Sequence, residues 1–264
     1  MVERKRWPEL DMANQAELLA YLGTSPLAES YFGDDITWVI TGVLSNDYNG
    51  VIWSRLAEAE ADRVIAEIVD RFRGRSVWSL WHMDDDSRPI DLAQRLEAYG
   101  CMRLGPGVCM AADLFALNET TKDIPGLTIE RVVDSAGLSA WMDTWIQLDD
   151  EAHEPRERLY ASLGLDGEQK LRHYLARLDG RPVATSQLFL GGEAAGIYCV
   201  TTIPEAQRRG IGTAVVLAPL LDARALGYRV AVLGPTPEAQ HMYARMGFEL
   251  FPSPLVAYSL WNEM

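Results

Sequence analysis

Gln207-Arg208-Arg209-Gly210-Ile211-Gly212 follows an apolar run, Ala195-Gly196-Ile197-Tyr198-Cys199-Val200, that reads as a strand. It opens a segment from Thr213 to Leu226 that reads as a helix. Two glycines at a strand-to-helix passage relieve steric limits on the backbone, so consecutive N–H groups can turn inward around an anion. The helix start adds unpaired donors and about half a positive charge from its dipole. The spelling therefore predicts a cradle for a phosphate or pyrophosphate. It is not a dinucleotide fingerprint, because Val215 stands where the third glycine belongs, and no Gly-Lys-Ser/Thr triplet makes a P-loop. The chain downstream also lacks the Lys and Asp motifs of a kinase.

Outward from the loop, alternation and turn signals give a consistent order from Leu127 onward. Leu127–Val132 alternates as a strand, and Ser135 is placed to cap a helix carrying Leu138, Trp141, Met142 and Trp145 at helical spacing. A second helical piece runs from Arg156 to Leu163. His173–Leu178, the turn Asp179-Gly180 and Val183–Leu190 read as a hairpin, and Gly191-Gly192 leads into the strand before the loop. Arg229–Leu233 is a further strand, Glu238–Met246 a helix, and Phe248 onward returns as strand. Pro219 falls inside the helix after the loop, where a kink is expected, although Ala214, Leu217, Ala218 and Leu221 keep an apolar stripe.

The loop spelling (Gln or Arg, two residues, Gly, one residue, Gly or Ala) and this order of elements resemble the GNAT superfamily of N-acetyltransferases. So does Pro237-Glu238-Ala239-Gln240-His241-Met242-Tyr243-Ala244-Arg245-Met246-Gly247-Phe248, a helix that carries a Tyr shortly before a Gly-Phe pair. The resemblance covers roughly the last half of the chain. It implies acetyl-CoA as co-substrate, its pyrophosphate on Gln207, Arg208, Arg209, Gly210, Ile211, Gly212 and Thr213, and its pantetheine arm along Val200, Thr201 and Thr202. It also implies that Tyr243 is the general acid for the departing thiolate. Thr236 stands where many relatives have Asn, which leaves that side-chain contact open. Asp149-Asp150-Glu151-Ala152-His153-Glu154 lies between the two early helices, where the family often binds acceptors, so Asp149, Asp150, His153 and Glu154 are the candidate substrate residues. Read on its own, that run is a solvated acidic loop with an incidental His.

The first half reads as strand Ile36–Val43, helix Ala57–Phe72, strand Val77–Met83, helix Ile90–Tyr99 and strand Val108–Leu114. Its Ala93-x-x-Leu96-x-x-Tyr99-Gly100-Cys101 is faintly similar to Ala239-x-x-Met242-Tyr243-x-x-x-Gly247-Phe248. The expected architecture is therefore α/β, two GNAT-like domains in tandem, each a mostly antiparallel mixed sheet flanked by helices. Residues 1–117 form a degenerate copy, 118–126 a linker closed by Pro125-Gly126, and 127–264 the acetyl-CoA-binding domain. Asn46-Asp47-Tyr48-Asn49-Gly50 is read as occupying the place of the phosphate loop in the first half.

Composition narrows the function classes. The chain has 264 residues and a formal net charge of −14, which opposes binding to nucleic acid and suits a cationic acceptor. The charged start, Met1–Trp7, has no apolar signal region, and the longest nearly apolar run is too short to span a bilayer. Cys101, Cys109 and Cys199 show neither metal-ligand spacing nor a disulfide framework. Asp84-Asp85-Asp86 begins like a calcium loop, but Pro89 takes the position of its required Gly, so no metal is expected. The reading is a cytoplasmic acyltransferase, monomer or homodimer, that moves an acetyl group from acetyl-CoA to the primary amine of a small molecule. The alternatives are an aminoglycoside-type resistance acetyltransferase and a non-catalytic acyl-CoA-binding regulatory module.

Overall fold

Two mixed sheets carry the chain, each with a single parallel junction that a helix crosses. The structure is a computed structural model describing residues 3–146, 153–166 and 169–260. In chain order the first elements are α1 (Trp7–Leu22), β1 (Glu29–Phe32), β2 (Ile36–Ile40), β3 (Asn49–Ser54), α2 (Ala61–Gly74), β4 (Leu80–Met83), α3 (Leu92–Ala98), β5 (Met102–Arg103) and β6 (Val108–Asp113). Next come β7 (Leu127–Arg131), α4 (Ser135–Trp145), α5 (His153–Ser162), β8 (Leu171–Leu178), β9 (Arg181–Leu190) and β10 (Ala194–Thr202). The chain continues through α6 (Ile211–Ala225), β11 (Val230–Leu233), α7 (Gln240–Met246), β12 (Glu249–Pro252) and β13 (Val256–Ser259). One sheet runs β1-β2-β3-β4-β13-β5, the other β12-β6-β11-β10-β9-β8-β7. Among the strands of the described residues, only β3–β4 and β10–β11 pair in parallel.

The two sheets repeat one plan. β1-β2-β3-α2-β4-α3-β5 corresponds to β8-β9-β10-α6-β11-α7-β12, with the same pairing directions and the same place for the crossing helix. The likeness extends to single bonds. α7 ends with the Gly247 N–H donating to Ala244 O and the Phe248 N–H to Tyr243 O, while α3 ends with Gly100 to Glu97 and Cys101 to Leu96. Both endings use a left-handed glycine, Gly247 at φ 104° and Gly100 at φ 81°, to bring the two N–H groups back onto the last turn.

Sheet membership corrects the expected boundaries. β6 lies between β11 and β12, although it precedes the expected cut at 118–126, and β13 lies between β4 and β5, although it ends the chain. The sheets thus exchange their last strands, and contacts divide the chain into Met1–Glu17, Val108–His153 and Gly164–Ser253 on one side and Leu18–Gly107, Glu154–Leu163 and Pro254–Met264 on the other. The passages are 104–107 and 253–255, each holding a proline that has no N–H for a ladder. Residues 118–126 are not a free linker. Asn118 N–H donates to Met246 O at 3.0 Å, Glu119 pairs with Arg224 at 2.7 Å, and Ile124 packs on the core under α6.

The first-half counterpart of the glycine loop is also corrected. Asn46–Gly50 forms the turn from β2 to β3, whereas the passage from β3 into α2 is Arg55-Leu56-Ala57-Glu58-Ala59-Glu60. That passage has no glycine, and two carboxylates stand where an anion would be cradled. The position matching Tyr243 holds Leu96. The first copy therefore lacks both features that the second carries.

In the seven-stranded sheet, α6 and α7 cover one face through Val215, Val216, Leu220 and Met246 against Leu188, Ile197 and Leu233. α1 packs Trp7 and Leu10 against Ala111, Ala194 and Val232. Its Asn14, 2% exposed, donates to Ala194 O at 2.8 Å and accepts from the Tyr198 hydroxyl at 2.7 Å. Asp134, rather than Ser135, caps α4 by accepting from the Gly137 N–H at 2.7 Å.

α6 continues through Pro219, and its sequence shows how. Proline has no N–H, so the Val215 carbonyl loses its helical partner. The buried Ser186 hydroxyl on β9 donates to that carbonyl at 2.6 Å. Ser186→Ala is expected to cost about 1–3 kcal/mol, because a buried acceptor is left unmade, read as a lower urea midpoint at constant m. In a Pro219→Ala background the restored N–H should shrink that cost to a few tenths. An equal loss in both backgrounds would show that the hydroxyl does not serve this carbonyl.

Candidate functional site

β10 parts from β11 after three residues. The register pairs Ala194, Ala195 and Gly196 with Val230, Ala231 and Val232, yet β10 continues to Thr202. On its other side β10 stays with β9 through a bulge between Tyr198 and Thr201, where Cys199 sits at φ 50°. The strained residue is held on both sides. The Thr185 hydroxyl donates to Cys199 O at 2.8 Å, and the Cys199 thiol donates to Gln187 Oε1 at 3.6 Å. The edge of Ile197–Thr202 that faces away from β9 is thus opened from β11, and its N–H and C=O groups suit an extended ligand added as one more strand. Val200, Thr201 and Thr202, all half-buried, lie on this stretch.

The same strand runs directly into the glycine loop. After a tight turn at Pro204–Ala206, the Gln207 amide donates to Thr202 O at 3.0 Å and ties the loop to the strand end. Arg208 at φ 62° and Gly210 at φ 94° turn the backbone sharply, and Ala214 is the residue that closes the first helical bond, to Gly210 O at 3.1 Å. The N–H groups of Ile211, Gly212 and Thr213 belong to the first turn and point out of the helix end. Ile211 is fully buried and anchors that end, while Arg208 and Arg209 are exposed. Gly212 is a matter of close approach. A β-carbon there would meet Thr202 Oγ1 and Met242 Sδ, each at 3.3 Å, so the loop lies against α7 as well as β10.

α7 carries Tyr243 one residue beyond Met242. Tyr243 is 5% exposed, and burial pushes its phenol up to about 12. Its ring meets Phe248 edge-on at 5.8 Å, and the Phe248 N–H bonds back to its carbonyl, so the Gly-Phe pair fixes the tyrosine from both backbone and side chain. The strand edge, the loop and the tyrosine helix are therefore brought together.

Asp149 and Asp150 lie outside the described residues. His153 begins α5, with Nε2 at 3.2 Å from Asp143 Oδ1 on α4, and Glu154 is exposed in the first turn of α5. One residue at the loop was missed. Lys122 lays its side chain beside Gly210, whose added β-carbon would stand 3.4 Å from Lys122 Cδ. Nothing local in a polar Pro-Gly-closed stretch signals such a position, because it depends on where 118–126 crosses α6.

Residues 138–248 match the model of the acetyltransferase (GNAT) family. Among solved structures the chain is similar to a GCN5-related N-acetyltransferase from Kribbella flavida, at 17% identity, over 96% of this chain and 94% of that one, with a TM-score of 0.67. It is also similar to a tandem GNAT protein from the clavulanic acid biosynthesis pathway, solved without acetyl-CoA, at 13% identity over 98% and 95% of the two chains and a TM-score of 0.60. A functionally unknown conserved protein from Staphylococcus epidermidis aligns at 15% identity over 90% and 93%, with a TM-score of 0.59. At these identities the likeness is one of fold. No curated protein matches the chain by sequence. No helix of the described residues is long and apolar enough to cross a membrane.

Proposed function

With residues 138–248 forming a GNAT acetyltransferase domain inside a tandem GNAT-like fold, we propose that the chain transfers an acetyl group from acetyl-CoA to the primary amine of a small-molecule acceptor. The observation that carries this reading is the continuous path from the opened edge of β10 into the glycine loop, with the tyrosine helix packed against Gly212. The pantetheine arm pairs with the backbone of Val200, Thr201 and Thr202. The pyrophosphate rests on the segment Gln207–Thr213, whose Gly210 and Gly212 keep side chains out of the cradle.

The chemistry assigns the remaining roles. A lysine-like amine has a pKa near 10.4, so freeing its lone pair at pH 7 costs about 4–5 kcal/mol. Water carries that proton away, and the nitrogen attacks the thioester carbon. The oxyanion that forms takes a backbone N–H of the opened strand as donor. The carbon–sulfur bond then breaks, the thiolate takes the Tyr243 proton, the nitrogen gives its second proton to water as the neutral amide forms, and the phenol is reprotonated from solvent. Burial raises Tyr243, but it also disfavours a bare thiolate in the same dry cleft, so the proton's source and destination move together. Asp149, Asp150, His153 and Glu154, at the passage between α4 and α5, are assigned to the cationic acceptor.

The test is CoA release from acetyl-CoA over a broad panel of small primary amines, including aminoglycosides, with the acetylated product identified by mass. Transfer to a member of the panel is the expected result. A protein that binds acetyl-CoA but yields no acetylated amine is a non-catalytic acyl-CoA-binding module, and the transferase reading fails.

A further inference from the structure

We propose that Lys122 completes the phosphate cradle from outside it, as a cofactor-contacting residue that favours phosphorylated acyl carriers over bare pantetheine thioesters. The inference rests on the acetyl-CoA reading given above. The topology dictates why a residue so far from the loop in sequence lies beside it. β6 and β7 stand at separated places in one sheet, five strand intervals apart, which is roughly 24 Å at the usual spacing. Residues 114–126 must bridge that gap. They do so over the helical face, where Leu117 and Ile124 pack on the core, Asn118 bonds to the end of α7, and Glu119 pairs with Arg224 of α6. The far end is pinned by the Asp179 N–H donating to Gly126 O at 2.9 Å. Lys122 falls between these anchors, so its stem is held against Gly210 at the entrance to α6.

The position gives the ammonium a purpose. Among the described residues no ion pair takes up Lys122, Arg208 or Arg209, and all three are exposed. A polyanionic cofactor has to approach a chain with a net charge of −14. Local cations at the cradle offset that repulsion and draw the ligand to one place. The aliphatic stem of Lys122 lies within ordinary contact distance of the place a β-carbon at 210 would take, so the lysine flanks the loop closely without closing it.

The sequence makes the test direct, since its lysines are Lys5, Lys122 and Lys170. Reductive methylation with mass readout, with and without CoA, should show Lys122 protected about fivefold while Lys5 and Lys170 label equally in both. Lys122→Met keeps the stem and removes the charge. It should weaken CoA binding about fivefold at low salt, and less as salt rises, with the kinetic loss falling on KM rather than kcat. Lys122→Arg should restore affinity. The loss should be absent when acetyl-pantetheine, which has no phosphate, is the donor. Equal labelling of Lys122 with and without bound CoA, or an equal loss on both donors, overturns the inference and leaves the acetyl-CoA reading standing. A wild type that binds no CoA overturns both.

Discussion

Replacing Tyr243 by phenylalanine should lower kcat for acetyl transfer by a factor of about 10²–10⁴, with little change in KM for acetyl-CoA. The substitution is clean because everything that holds the ring survives it. The edge contact with Phe248 at 5.8 Å and the backbone bond from Phe248 to residue 243 do not involve the hydroxyl. Thermal denaturation of the two proteins should therefore nearly coincide, separating a lost proton donor from a lost fold. The pH dependence carries its own sign. A phenol pushed up to about 12 by burial stays protonated, and thus able to donate, throughout the range where the acceptor amine is deprotonating. Wild-type kcat/KM should rise from pH 7 toward 10 without a falling limb from this tyrosine. The phenylalanine protein should show the same rise at a much lower level. Steady-state CoA release across that range checks both statements. A variant as fast as wild type would remove Tyr243 from the chemistry and leave it as a core residue.

The same residues show what a sequence discloses about such a site. The backbone of the loop and of the tyrosine helix is legible because what shapes it is local. Glycine at 210 is required by φ 94° and glycine at 247 by φ 104°, and each lies within a few residues of what it positions. The order of elements from Leu127 onward followed from alternation and turn residues, and the strands lie close to where those signals placed them. What depends on long-range pairing was not legible. Val108–Asp113 is a short apolar run that reads as a strand, but such a run does not name a partner, and the strand pairs with β11 and β12 rather than within its own half. α1 escaped because its buried side includes Asp11 at 1% and Asn14 at 2% exposure, which break the apolar stripe that announces a helix. The likeness of Ala93-x-x-Leu96 to Ala239-x-x-Met242 is displaced by one residue for a similar reason. Both helices end on the same pair of bonds, and those bonds align Tyr243 with Leu96. The repeated plan is thus visible in backbone bonds where the side chains of the two helices differ.

Gly210→Asp should abolish the stabilisation that acetyl-CoA gives the wild type. A ligand at about a hundred times its dissociation constant adds roughly 2.7 kcal/mol, which for a chain of this length raises Tm by about 5–10 °C. The aspartate acts in two ways. At φ 94° any β-carbon is strained, at a cost of about 1–2 kcal/mol, and its carboxylate places negative charge where the phosphate would lie. Gly210→Ala isolates the first effect, since the alanine carries the strain without the charge. Its β-carbon would reach Lys122 Cδ at 3.4 Å, an ordinary contact, so the alanine protein should start from a lower Tm and keep part of the ligand shift. The aspartate protein should start from a similar Tm and show none. The comparison at matched strain reads the electrostatic demand of the cradle directly, because an anion that needs the N–H groups of the first turn of α6 competes with a fixed carboxylate at their mouth. A ligand shift that survives in Gly210→Asp would move the phosphate to another place on the chain. A wild type with no shift at all would make the loop a connector between strand and helix, and the opened edge of β10 would then need a different occupant.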